Sequence, residues 1–121
     1  MTVKCIKYKQ EQYDSEIGNY IWEASLLVGK TYYVISISYD DYLLMSEGQN
    51  EKVIGPSLFP KKFFTVVDKS ASTNWVKEYD EGEISYHGPP EFAGFFWEEF
   101  HDKSISEQKQ IITKYRHLLF P

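Results

Sequence analysis

The spacing of apolar residues changes at Pro89–Pro90, and that change limits the chain to few architectures. Before the prolines, apolar residues recur at every second position. In "TYYVISISYD", Tyr33, Ile35, Ile37 and Tyr39 share one side, and Ser36, Ser38 and Asp40 share the other. Strict alternation is the pattern of a half-buried strand. After the prolines the period lengthens. In "PPEFAGFFWEEFHD", Phe92, Phe95, Phe96 and Phe100 fall at i, i+3, i+4 and i+8, one face of a helix. Pro90 suits its start, although Gly94 costs about 1 kcal/mol relative to alanine there. Strands gathered before helices predict an α+β domain.

The remaining segments fill in that outline. "TVKCIKYK" mixes β-branched and aromatic residues with lysines and reads as an N-terminal strand at a sheet edge. "QEQYDSEIGN" reads as a loop, and "YIWEASLL" fits either a strand or a helical turn. Asp40-Asp41 offers a tight turn into "YLLMSE", "GQN" a second turn, and "EKVIG" a short strand. "PSLFP", held between prolines, reads as an irregular connection, and "FFTVVD" as another strand. "WVKEYD" and "EISYH" flank Asp80-Glu81-Gly82 as a final hairpin. "SISEQKQIITKYRHLLF" is the strongest helix, with Ser104 and Glu107 at capping-box spacing. Its apolar stripe is Ile111, Ile112, Tyr115, Leu118 and Leu119. Close turn signals between short strands predict a small antiparallel barrel or a strongly bent sheet, followed by one or two C-terminal helices. One domain, 1–121, is expected, strand-rich over 1–88 and helical over 90–120.

A chain of 121 residues that is 42% hydrophobic can bury a core without staples. Cys5 is the only cysteine, so no intrachain disulfide forms, as expected in a reducing compartment. The N-terminus lacks an apolar leader core, and no apolar run approaches a membrane span. A soluble, cytoplasmic protein is expected.

Motifs of catalysis and cofactor binding are weak. "LLVGKT" ends like a phosphate-binding loop, but Ala24 stands where the first glycine belongs, and a strand follows in place of a helix. It reads as a turn. His87, His101 and His117 are too far apart in sequence for a local zinc motif, so no metal and no cofactor are expected. Cys5, inside a strand, reads as a buried, inert thiol. The adjacent acids of "DD" and "DEGE" read as turn chemistry. A hydrolase built on a carboxylate pair would need two of them to face each other across a cleft.

Charge is more informative. Asn74–Asp102 holds eight acids, one base (Lys77) and eight of the chain's 21 aromatic residues. The rest of the chain is slightly basic. Such acidity disfavours nucleic acid and anionic membranes as partners. The acids Glu78, Asp80, Glu81 and Glu83 of the hairpin and Glu91, Glu98 and Asp102 of the helix line up as one negative patch. Tyr79, Tyr86 and Trp97 stand at its border. The patch is either a solvated face over an aromatic core or a recognition surface for a basic protein.

"VGKTYYVISISYDDYLLM", "PSLFPKKFFTVVD", "NWVKEY" and "GFFWEEFHD" together resemble small bacterial immunity proteins of polymorphic-toxin and contact-dependent inhibition systems. The first two pieces also resemble SH3-like barrels. The resemblance spans Val28 to Asp102, about three fifths of the chain, and carries no active site, because such proteins act by binding. It implies a non-enzymatic inhibitor of a cognate toxin domain, a basic one such as a nuclease. The patch residues just named would be its partner-binding surface. An SH3-like adaptor that binds a peptide is the alternative, and a small carboxylate-dependent hydrolase a third.

Overall fold

A computed structural model describes residues 1–8, 25–49, 54–70 and 74–121. Among them are eight strands: β1 Thr2–Cys5, β2 Thr31–Tyr33, β3 Ser36–Ser38, β4 Asp41–Leu44, β5 Ser57–Pro60, β6 Phe64–Asp68, β7 Val76–Asp80 and β8 Glu83–Gly88. Three helices follow: α1 Phe96–His101, α2 Ile105–Lys114 and α3 Arg116–Leu119. The α+β class is as expected. The sheet is not a single barrel. β2-β1-β6 form one antiparallel sheet and β5-β4-β3-β8-β7 another, and neither closes. The loop expected at "QEQYDSEIGN", the start of "YIWEASLL" and most of "EKVIG" lie outside the described residues.

β1 is the centre of its sheet and not an edge. Val3 and Cys5 are fully buried while Lys4 between them is exposed, so the lysine marks the wet face of a central strand. The turn expected at "VGKT" is present: Gly29, at φ +92°, leads into β2. "TYYVISISYD" is two strands, not one. The chain passes from one sheet to the other at Val34 and Ile35, both without exposed surface. Around this crossing both faces are covered, with Ser36 at 2% exposure, whereas Ser38 is half-buried and Asp40 exposed. The turn after β3 falls at Tyr39-Asp40, one residue earlier than expected, with Tyr39 at φ 50°.

"PSLFP" is β5, paired with β4 from Asp41↔Pro60 to Leu44↔Ser57. A sheet-edge position explains this, because a proline there removes no ladder bond on its open side. The β7–β8 hairpin forms as expected. Glu81 at φ 51° and Gly82 at φ 82° supply the two positive angles of a type I′ turn. A register shift between Glu78 and Tyr79 leaves Ser85 of β8 as the extra residue of a bulge.

Two cores result. The first lies between the sheets and contains Val3, Cys5, Tyr32, Val34, Tyr42, Leu44, Phe59, Phe63 and Phe64. The second lies between the five-stranded sheet and the helices and contains Ile35, Leu43, Phe92 and Leu119. Half-buried Tyr86, Phe96, Trp97, Ile112, Tyr115 and Leu118 pack around it.

The helix expected from Pro90 onward is broken. Pro90–Phe92 form a single 3₁₀ turn, Gly94 takes φ +69°, and α1 starts only at Phe96. The phenylalanine face is therefore split: Phe92 and Phe100 are buried, but Phe95 is 76% exposed. Ser104 caps α2 by accepting from the Glu107 N–H at 3.2 Å. Its hydroxyl also donates to the Glu107 carboxylate at 2.9 Å. The last helix breaks at Tyr115, giving three short helices in place of one or two. Buried Gln108 donates to the Phe100 carbonyl at 3.0 Å and ties α2 to the end of α1.

Candidate interaction groove

Register on the five-stranded sheet puts Leu58, Leu43 and Ser36 in one outward row, and Pro60, Asp41 and Ser38 in the next. The helical segment covers Leu43 and leaves the rest of this face as an open groove of about 980 Å³. Short side chains make the floor low: Ser36, Ser38 and Ser85 line it. Beneath them, a side chain on Gly88 would meet Ser36 Cβ at 2.6 Å and Tyr86 Oη at 2.8 Å. Only glycine lets β8 approach β3 so closely. Ser38 donates to the Ser85 carbonyl at 2.9 Å, which fixes the bulge against β3. Phe92, Phe95 and Trp97 form the opposite wall.

Two hydrogen bonds join hairpin, turn and wall. The Gly94 N–H donates to Glu78 Oε1 at 3.1 Å, and the Tyr39 hydroxyl donates to Asp80 Oδ2 at 3.0 Å. Asp41, Glu78, Asp80 and Glu98 line the groove with His101, and among the described residues no lysine or arginine lines it. Tyr39 senses this charge. Its bond to Asp80 comes first, then slight desolvation and the charges of Asp80, Glu83 and Glu81, and together they raise its phenol above the ordinary value of 10. Burial, with the charges of Glu78 and Glu91 behind it, pushes the Tyr86 phenol up further.

Six of the ten residues expected at a partner surface line this groove: Glu78, Tyr79, Asp80, Tyr86, Trp97 and Glu98. Glu81 and Glu83 sit at the hairpin tip, outside the lining but close enough to act on Tyr39. Glu91 lines a separate recess of about 140 Å³ beside Tyr33, Trp75 and His117. Asp102 follows α1 and lines neither. The break at Gly94 is what separates Glu91 from Glu98.

The three border rings divide. Tyr79 is 64% exposed and belongs to the rim. Tyr86 packs on the second core and donates its hydroxyl to the Pro89 carbonyl. Trp97 packs on Phe92, Phe96 and Phe100, with ring centroids 4.9, 4.8 and 5.2 Å away. Its indole N–H is buried and has no partner among the described residues.

Sequence reasoning missed Tyr39, Asp41, Leu58, Phe95 and His101 in the lining. Gly94 was the available signal for Phe95, since a left-handed residue there rotates the next side chain off the helix face. The others follow from strand pairing, which carries no local signal.

Among the described residues no group of three histidine, cysteine, aspartate or glutamate side chains is placed to hold a metal ion. No helix among them is long and apolar enough to cross a membrane. Comparison with protein-family models, with curated proteins and with solved structures gave no match.

Proposed function

We propose that this chain is a protein-binding inhibitor, an immunity protein that neutralises a cognate toxin domain in the cytoplasm by seating a basic surface of that domain in the groove. The supporting observation is that exposed rings and four carboxylates share one open groove with no lysine or arginine among its described lining residues. Negative charge speeds encounter with a cationic partner and rejects anionic ones. Rings supply the contact area that slows dissociation. Nuclease-type toxins carry basic surfaces for their polyanionic substrates, which makes them fitting partners.

The test is calorimetry and inhibition assays against the protein encoded beside this one. A complex that abolishes the partner's activity and weakens with salt is expected. No complex, or one whose affinity and salt slope ignore Glu98→Lys, would overturn the proposal. The ring-lined groove also suits a second reading, an adaptor that holds a peptide. Peptide binding without loss of any enzyme's activity would select it.

A further inference from the structure

We infer that the corner of the groove formed by Tyr79, Asp80, Gly94 and Phe95 receives an arginine side chain of the partner. This inference rests on the groove being a protein-binding site and adds the chemistry of what enters it.

Phe95 at 76% and Tyr79 at 64% are the two most exposed large apolar side chains among the described residues. Both line the groove. Tyr79 follows Glu78 and Phe95 follows Gly94, and the hydrogen bond from Gly94 to Glu78 joins the two segments at 3.1 Å. The next residue, Asp80, accepts from Tyr39, which brings in a third ring at 44% exposure. Three exposed rings thus share one groove with the carboxylates of Glu78 and Asp80, and Glu98 lines it too.

Among the described residues no lysine or arginine lines the groove. Lys30, Lys61, Lys114 and Arg116 lie over Tyr32, Tyr42, Tyr115 and Phe120, all elsewhere. Glu78 and Asp80 each use one oxygen on the bonds that build the corner. A carboxylate accepts at both oxygens, so each keeps capacity for an incoming donor.

Ring faces beside carboxylate edges match one side chain best. A guanidinium is planar, stacks on an aromatic face, and presents N–H donors in its own plane to a carboxylate. An ammonium is compact and strongly hydrated, lacks the flat face that stacks on a ring, and so gains less from the rings.

The test uses the whole chain, labelled with ¹⁵N, and three blocked tripeptides: alanine-arginine-alanine, its lysine counterpart, and its citrulline counterpart, which keeps the shape and loses the charge. The arginine peptide is expected to shift the backbone amides of Tyr79, Asp80, Gly94 and Phe95. The lysine peptide should bind roughly three- to tenfold more weakly, the value of a ring–cation contact, and citrulline not at all. Phe95→Ala should weaken the arginine peptide by about the same factor, and an unchanged amide spectrum elsewhere will show that it folds.

Equal binding of lysine and arginine, shifts located elsewhere, no shift at any concentration, or indifference to Phe95→Ala would each overturn the inference. An enzyme inhibited by the chain while the arginine peptide leaves this corner unmoved sinks the inference alone. Arginine-peptide binding here with no enzyme inhibited sinks the inhibitor reading alone.

Discussion

The five-stranded sheet has two faces with different fates. On the inner face Tyr42, Leu44 and Phe59 pack against Val3, Cys5, Tyr32 and Phe64 of the smaller sheet, and every one of these is buried. On the outer face Leu43 and Ser36 are buried, while Ser38, Asp41 and Leu58 line an open groove. The two faces alternate along the same strands. Phe59 has no exposed surface and its neighbour Leu58 is 41% exposed. Period-two geometry lets one short strand hold the fold with one set of side chains and present a binding surface with the other. A slip of one residue in register would exchange the two sets.

Substitution at those neighbours is the hardest test of the division. Phe59→Ala should cost about 3–5 kcal/mol, the usual range for a phenylalanine emptied from a packed core. Leu58→Ala should change stability by no more than about 0.5 kcal/mol, as surface changes do, and should weaken the partner complex instead. Urea denaturation and calorimetry on both variants separate the effects. Equal destabilisation at the two positions would break the comparison.

Gly88→Ala tests the floor that the faces share. A Cβ there meets Ser36 and Tyr86 well inside contact distance. Overpacking of this kind costs about 1–3 kcal/mol, read as a lower denaturation midpoint. The groove should also suffer, because relief requires moving Tyr86 or parting β8 from β3. A Cβ added at Gly82 would meet only open space, so Gly82→Ala carries only the strain of its positive φ.

Charge reversal sharpens the outer face. Glu98→Lys places a cation in the groove, and Glu91→Lys places one in the neighbouring recess. The first should slow association with a basic partner about tenfold at low salt, and the second much less. Stopped-flow rates at two ionic strengths check this. Equal slowing would mean that the net charge matters and the groove does not.

Much of this architecture is legible in the chain, and the losses have identifiable causes. Alternation finds most strands, Glu81-Gly82 announces its hairpin, and Ser104 announces its cap, because each is a local preference of a few neighbouring residues. Partition of the strands into two sheets is not local: Val34 and Ile35 look like the middle of one strand, and only the packing on both sides splits it. Gly94 carried a cost that was visible in sequence, but whether the helix would absorb or yield to it depended on the bond its N–H makes to Glu78. The groove was the least legible part. Ser38 and Ser85 meet across 47 residues. The acidic segment supplied half of the lining, and Tyr39, Asp41 and Leu58 arrived from a strand pair that charge counting had no reason to join to it.

The smallest effect belongs to the inner side. Glu47 bridges Ser25 in the backbone and accepts from Lys30 and from the hydroxyl of core residue Tyr32, the latter at 3.1 Å. The bond to Lys30 chiefly holds the Glu47 carboxyl below its ordinary value of 4.5. A lowered folded-state pKa means that this stabilisation is complete above pH 4.5 and fades as the pH falls through the lowered value. The pair is partly exposed, so its worth is at most about 1 kcal/mol. Glu47→Gln should lower stability by no more than that at neutral pH and flatten the acid limb of the stability curve. It should leave the part due to Asp68, whose carboxyl is also held low, by the Ser70 N–H. Because this contact braces the sealed face, partner affinity should not change with it. A variant that lost affinity at pH 7 while keeping its stability would place Glu47 with the groove and undo the separation of the two faces.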